Sequence, residues 1–564
     1  MSQNASSTQD QSSGAGEVQK WGRVLICGGV DWSTLGRKDK RAAKDESENP
    51  DLLEPHILRS LANVRIKSIH ASGSGCHIVC IDIHGAAWMF GRNSPAALGR
   101  AMRGEPVQPT GVVNENTPRR ITPQMLGAPK GTTFVHAATG RSHTLLVGNN
   151  GDVWSAGANQ VGQCGLAPCS EVASFTLIRG PWPGGEKEHI VKVGAGVSFS
   201  ILLTASGKLY ALGSGEHGQL GNGRTGEHIA TGNKTQFDVH SSPVAVRGLE
   251  DKVITQFSCG HQHTIALDKE GIVYVWGYNG YCRLGLGNQQ DVLIPKTVPQ
   301  FAGPNINTRA TFVSAGPTSS VVLDKQGMYY MAGKWKNSGD GSSGSPFSTF
   351  RFIQDITGVK VYHACSGGVT HFALAPEEDG SVLTIGFGQN AANGELGFGP
   401  NESKSATKPK RHEPLVGVEI IDIAASQNTT IFLARPNDKY SDLPRHPENM
   451  DSAEECVVCS RDRGEDDSPL ACDKCDDPYH LSCLTPPLSA VPDGEWFCPR
   501  CAESPSAENS NSNNGNSNAT NGGGEEDEEE TGTVTKAVTK KRGRNAKDDR
   551  EGEGTRKAPT RSRK

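Results

Sequence analysis

No run of about 18 apolar residues occurs anywhere in the chain, so no membrane-spanning helix is expected. The first twenty residues (MSQNASSTQDQSSGAGEVQK) are polar and lack an apolar h-region, which argues against a secretory signal. There is no hydrolase nucleophile motif, no G-x-x-x-x-G-K-[ST] phosphate loop and no dinucleotide fingerprint, so no catalytic residue is assigned. A strict G-X-Y period is also missing, which rules out collagen although 68 of the 564 residues are glycine. Against a usual glycine share of about 7%, that excess calls for many tight turns. At roughly 100–200 residues per domain the length implies three to five units, unless repeats share one core.

Repeats are present. One pattern runs glycine, five mostly apolar residues, a second glycine, and a third glycine fourteen after the first. It starts at Gly22 (GRVLICGGVDWSTLG), Gly85, Gly151, Gly207, Gly271 and Gly327, and a longer copy starts at Gly380. A second pattern alternates with it: a small residue, two variable ones, often His-Thr, then an apolar run. Its copies are SGCHIVCI (74–81), GRSHTLLV (140–147), GVSFSILL (196–203), GHQHTIAL (260–267), GPTSSVVL (316–323), GVTHFALA (368–375) and SQNTTIFL (426–433). Each apolar run is short, β-branched or aromatic and bounded by glycine, the signature of a strand buried on both faces. A unit of 50–65 residues cannot bury both faces alone, so neighbours must stack, and a closed ring protects the strand edges. The expected fold is all-β: a seven-bladed β-propeller over 21–435, in which Val24–Cys27 and Thr430–Leu433 share a blade and close the ring.

These motifs resemble the regulator-of-chromosome-condensation repeat family, whose fold is a seven-bladed propeller. The opening segment WGRVLICGGVDWSTLGRKD (21–39) resembles the second, telophase-disc-like branch of that family. The resemblance implies a scaffold of the kind found among chromatin binders and regulators of small GTPases. The repeat histidines His77, His143, His263 and His371 occupy equivalent places in four blades and cannot converge on one ion; each imidazole is expected to bond a turn within its own blade. Trp88, Trp154 and Trp276 lie inside apolar runs and are expected to pack. The polar insertions 100–120 and 222–242 are expected to emerge as loops.

Cysteine is distributed unevenly. Eight of the fifteen are scattered through the repeats and read as reduced core fillers. The other seven follow one order with a histidine: Cys456-x2-Cys459, Cys472-x2-Cys475, His480, Cys483, Cys498-x2-Cys501. Eight ligands make two tetrahedral zinc sites, and so short a segment with few large apolar residues draws its folding energy from two Zn2+ ions. The ligand order, with Cys475 fourth and His480 fifth, resembles a plant-homeodomain (PHD) finger and not a RING, which argues against a ubiquitin ligase. LACDKCDDPYHLSCLTPPLSAVPDGEWFCPRC, with Trp496 two residues before the last pair, carries the resemblance. The family's cross-braced topology implies Cys456, Cys459, His480 and Cys483 on one ion, and Cys472, Cys475, Cys498 and Cys501 on the other.

Fingers of that family commonly read the histone H3 N-terminal tail, which adds as a β-strand. Readers of trimethyl-lysine use a cage of aromatic rings. Here Pro478 stands where many carry tryptophan, and Glu454 and Glu455 precede Cys456, while Tyr479 and Trp496 read as core. From Glu454 to Cys501 eleven acidic residues face four basic ones, a net of −7. SRDRGEDDSPLACDKCDDPYH resembles the first finger of lysine demethylases that recognise unmodified H3. Glu465, Asp466, Asp467, Asp473, Asp476 and Asp477 are therefore candidate partners for the tail's arginine and fourth-position lysine. Main-chain groups of Leu470, Ala471 and Cys472 would pair with the tail, and the resemblance implies that carbonyls around Pro492, Asp493 and Gly494 hold its amino terminus.

Residues 1–20 are expected to be disordered. The proline-rich segment 436–453 reads as a flexible tether, the finger spans 454–503, and 504–564 is an acidic, then basic, disordered tail. Residues 531–564 carry twelve Lys/Arg against four Asp/Glu. Lys540, Lys541, Arg542 and Arg544 are candidates for nuclear import or DNA contact; Arg542-Gly543-Arg544 resembles the centre of an AT-hook, with Asn545 where a proline would stand. The leading expectation is a nuclear, chromatin-associated adaptor with histone H3 and DNA as partners. The alternative is a small-GTPase regulator acting through the propeller, although no wedge-like loop is identifiable.

Overall fold

Six four-stranded antiparallel sheets and one five-stranded sheet form seven blades along the chain, each built from the two glycine-marked motifs. The structure, a computed structural model, describes residues 21–35, 50–100, 115–334, 345–448, 455–464, 467, 469–472, 477–492 and 496–499. Blade 2 is typical: Phe134–Thr139, His143–Gly148, Val153–Asn159 and Cys169–Leu177, from axis to rim. Its second and third strands are buried along their whole length, whereas the rim strand is largely exposed. Burial on both sides of the middle strands follows from stacking between neighbouring blades, as the unbroken apolar runs require.

The ring closes as expected. Arg23–Gly28 pairs antiparallel with Thr429–Ala434, in register from Arg23 opposite Ala434 to Gly28 opposite Thr429. Blade 7 thus takes its two inner strands from the end of the repeats and its two outer strands from the start. The glycine that ends each third strand is obligatory. Gly91 has φ near +101°, and a Cβ there would lie 2.7 Å from the Cys76 carbonyl oxygen.

Contrary to the expectation that each repeat histidine bonds a turn of its own blade, three of the four reach the next blade. His77 Nε2 lies 2.9 Å from Thr144 Oγ1, His143 Nε2 3.0 Å from Ser200 Oγ, and His263 Nε2 3.0 Å from Ser320 Oγ, each hydroxyl belonging to the next blade. Those hydroxyls donate in turn to the carbonyls of Ala97, Gln163 and Arg283. The imidazole therefore donates, and each trio stitches two blades together. His371 differs, meeting Ser366 Oγ in its own blade at 3.0 Å. Trp154 and Trp276 are buried, and Trp88 is half-buried with its indole N–H on Asp82.

Three aspartates went unnoticed in the sequence. Asp82, Asp268 and Asp324 each accept two main-chain N–H bonds in the turn before the third strand, as when Asp268 Oδ1 takes those of Glu270 and Ile272. Their signal was the recurring Asp-x-x-Gly spacing (Asp82–Gly85, Asp268–Gly271, Asp324–Gly327). The insertion 222–242 is also not all loop: His228–Ala230 and Lys234–Gln236 form an exposed hairpin.

The segment read as a flexible tether is instead strapped to blade 7 over 437–448. Asn437 caps the single turn Asp438–Ser441, accepting the Tyr440 N–H at 2.8 Å. Tyr440 and Leu443 enter the blade's core, and Arg445–His446 adds to the blade in parallel beside Ile57 and Leu58. Composition hid this, because two apolar anchors among prolines and charges carry no periodicity. Among the described residues no helix is long and apolar enough to cross a membrane.

Candidate metal centre and peptide edge

The strap delivers the chain to a second, smaller fold. Cys456 and Cys459 leave a tight turn in which Ser460 N–H bonds Cys456 O at 2.8 Å. His480 and Cys483 come from the other side, at the start of the short turn Leu481–Cys483. The ligand atoms of Cys456, Cys459, His480 and Cys483 all lie within 4.8 Å of one another. His480 Nδ1 is 3.4 Å from Cys459 Sγ and 3.8 Å from Cys483 Sγ. Tetrahedral zinc, with Zn–S near 2.3 Å and Zn–N near 2.0–2.1 Å, sets such edges at about 3.6 Å, so the residues fit the ion. Burial pushes the Cys456 thiol up, but the N–H groups of Cys459, His480 and Val458 outweigh it and bring it down to about 6. A thiol so held is ready to ligate as thiolate.

The second quartet is seen in part. Cys472 and Cys498 are both buried, and the Cys498 N–H points at Cys472 Sγ at 3.2 Å. Tyr479 and Leu484 complete that small core, with Trp496 packed edge-to-face on Tyr479 at 5.6 Å. Cys475 and Cys501 lie outside the described residues.

A two-residue hairpin lies between the quartets. Leu470–Ala471 pairs with Pro478–Tyr479, Leu470 opposite Tyr479 and Ala471 opposite Pro478. The Cys472 N–H donates to Asp477 O at 3.0 Å, which makes 472/477 and 470/479 the hydrogen-bonded pairs. Ala471 then sits in a non-hydrogen-bonded pair, and its N–H and C=O both point away from the hairpin. Pro478, with no N–H, could not have engaged it. Ala471 is exposed.

The acidic candidates divide. Asp467 is half-buried and paired with Arg463 at 2.8 Å; Arg463 also reaches Ser482 Oγ at 3.0 Å. Asp477 is buried, and its Oδ1 accepts from Asn63 Nδ2 of the propeller at 3.3 Å, a contact that no local pattern signals. Pro492 is described and half-buried. Glu465, Asp466, Asp473, Asp476, Asp493, Gly494, Lys540, Lys541, Arg542 and Arg544 lie outside the described residues.

A closed ring of seven stitched blades, carrying a Cys/His finger strapped to its closing blade, defines a propeller protein with an appended zinc-binding finger. The chain belongs to the RCC1-like domain family, whose model matches residues 21–432, and the PHD-finger model matches 456–501. It is 29% identical to Protein RCC2 homolog of Xenopus laevis over 447 residues, 75% of this chain and 81% of that one. The figures for human Protein RCC2 are 28%, 75% and 79%, and for human Regulator of chromosome condensation 27%, 67% and 86%. Among solved structures, yeast RCC1 (Prp20) bound to Kap60 superposes with a TM-score of 0.57 at 18% identity, covering 78% of this chain and 98% of that chain. Prp20p from Saccharomyces cerevisiae, described with its binding properties to Gsp1p and histones, gives 0.56 at 19%, covering 75% and 94%.

Proposed function

We propose that this protein is a chromatin adaptor of the nucleus whose PHD finger reads the N-terminal tail of histone H3, unmodified at its fourth-position lysine. The observation that carries the reading is the outward main chain of Ala471 on an exposed hairpin edge. An extended peptide completes such an edge by strand addition, and side-chain pockets then decide specificity. Among the described residues no aromatic cage is formed: Tyr479 is buried on Trp496, and Pro478 is buried beside it. The surrounding charge is acidic instead, and a bare ammonium donates three hydrogen bonds to carboxylates that a trimethyl-lysine cannot make. Two Zn2+ ions, the second on Cys472, Cys475, Cys498 and Cys501, hold the edge in shape. Within this reading Asp466, Asp473 and Asp476 carry the tail's cations, and the basic tail around Lys540–Arg544 adds contacts to DNA. Histone binding described for Prp20p agrees with a chromatin setting. Calorimetric titration of the full chain with H3 peptides bearing zero to three methyl groups on that lysine tests the assignment. Affinity should fall with each methyl, and tightest binding to the trimethyl form would overturn it.

A second reading, small-GTPase regulation through the propeller, is favoured by one feature. The hairpin His228–Gln236 projects from blade 3 with Ile229 77% exposed, a wedge-like element that the sequence did not disclose. Nucleotide-release assays over a panel of small GTPases, with and without residues 228–236, decide it. Release that the intact chain accelerates and the deletion does not would promote this reading.

A further inference from the structure

Asn63 precedes the first strand of blade 1, so the finger docks at the end of the ring where the first strands begin. At the opposite end, the turns joining first to second strands crowd around the axis. The Arg141 N–H bonds Gly196 O at 3.0 Å, the Val197 N–H bonds His261 O at 2.9 Å, and the Gln427 N–H bonds Gly75 O at 2.8 Å. The basic residues at these seven turn tips are Arg141 and His261, and no tip holds an acidic residue. Residues just past the third strands lie alongside, tied to the same turns. Arg92, Tyr278 and Lys334 donate their main-chain N–H groups to Cys76, Gln262 and Thr318. Neither ring of positions holds an Asp or a Glu.

Arg283 adds a third guanidinium. It is only 3% exposed, and its side chain donates to two main-chain carbonyls, Gly280 at 2.8 Å and Pro317 at 2.9 Å. Its charge lies 4.5 Å from the Tyr278 ring. Among the described residues no carboxylate pairs with Arg141, Arg283 or Lys334. The nearby Asp291 is already taken by His217 at 2.9 Å and the Asn279 N–H at 2.8 Å. His261 reaches across the axis to Gly73 O at 3.4 Å, capping a channel of about 280 Å3 beneath. Burial holds its imidazole down at about 4, and the charges of Arg283 and Arg141 add to the effect. Beside the mouth Tyr281 holds a left-handed backbone at φ 61°, stands 46% exposed, and carries the Lys334 ammonium 5.1 Å from its ring. Backbone strain of that kind at an exposed aromatic is a mark of a binding element.

We propose that this mouth is a second binding site, one that takes a phosphoserine or phosphothreonine side chain presented by a partner protein. The exposed Arg141 guanidinium and the Lys334 ammonium match the oxygens of a phosphate monoester, which carries −1.5 to −2 charge near neutral pH, and the buried Arg283 adds its charge from beneath. Arg141 and Arg283 both act on His261, and Lys334 lies over Tyr281, so the cations are gathered at one mouth. A nucleic-acid backbone would instead need them strung out along a stripe or groove. Tyr281 offers an apolar platform to the residue flanking the phosphate.

The test presents the full chain with a degenerate peptide library fixed at a central phosphoserine or phosphothreonine, its unphosphorylated twin, and a double-stranded oligonucleotide. The phosphorylated library should be retained and released by inorganic phosphate. Arg141→Glu, at an exposed position, and Lys334→Glu, at a half-buried one, should each weaken it at least tenfold while leaving H3-peptide binding intact. Equal retention of the two libraries would overturn the proposal. So would unchanged binding by both variants, or a loss confined to the oligonucleotide.

Discussion

At the residue scale, what holds the ring is a small set of buried polar groups that each serve two neighbours. His143 shows the pattern: its Nε2 donates to Ser200, and Ser200 donates back to the carbonyl of Gln163. Replacing His143 by alanine leaves the Ser200 hydroxyl without its imidazole donor and opens a void between blades. A loss of about 2 kcal/mol in stability is expected by denaturant unfolding. Zinc content should not change, which separates this stitching role from metal binding. The same imidazoles make the propeller acid-sensitive. Burial pushes His70, His77, His371 and His412 down to about 4, and His143 to about 3, from an ordinary value of 6.5. The unfolded chain therefore binds protons below pH 6.5 that the folded chain refuses until nearer pH 4. Stability should be fully present above pH 6.5 and fall as pH drops through that window. Thermal melts at successive pH values check this; a flat midpoint across the window would contradict it.

At the scale of single elements, the finger and the strap differ in what supports them. The finger has one small apolar cluster around Cys472, Tyr479, Leu484 and Cys498, too little to fold without metal. A strong zinc chelator should remove hydrogen-exchange protection from 456–499 and leave the propeller's midpoint unmoved. The strap rests on apolar anchors instead. Tyr440→Ala should cost about 3 kcal/mol locally and make 436–453 the first site of proteolytic cleavage, with zinc retained. On the hairpin, Ala471→Pro removes the outward N–H without touching a ligand. Peptide binding should drop at least tenfold at unchanged zinc stoichiometry, as read by calorimetry and elemental analysis.

At the scale of the whole molecule, the chain presents two working ends. The finger contacts the propeller through Asn63 and Asp477, and the cationic mouth and the 228–236 hairpin lie where the third strands end, on the opposite face. Under the two proposals, a histone tail and a phosphorylated partner would be held at opposite ends without competing. Much of this layout was legible beforehand, because glycine spacing marks strand ends and Cys/His spacing marks ligands. Equivalence in a repeat, however, says nothing about which blade a side chain touches, so the reach of His77 to Thr144 could not be read. The burial of Asp477 against Asn63 was equally hidden, since those residues are 414 apart in sequence.

In the proposed function, a metal-shaped finger offers the outer edge of Leu470–Ala471 to an unmodified H3 tail. Amide hydrogen exchange at Ala471, with and without an unmodified H3 peptide, measures that pairing directly. Strong slowing at Ala471, weaker with the trimethylated peptide, is the predicted result. Exchange that stays fast while the peptide is bound would contradict it.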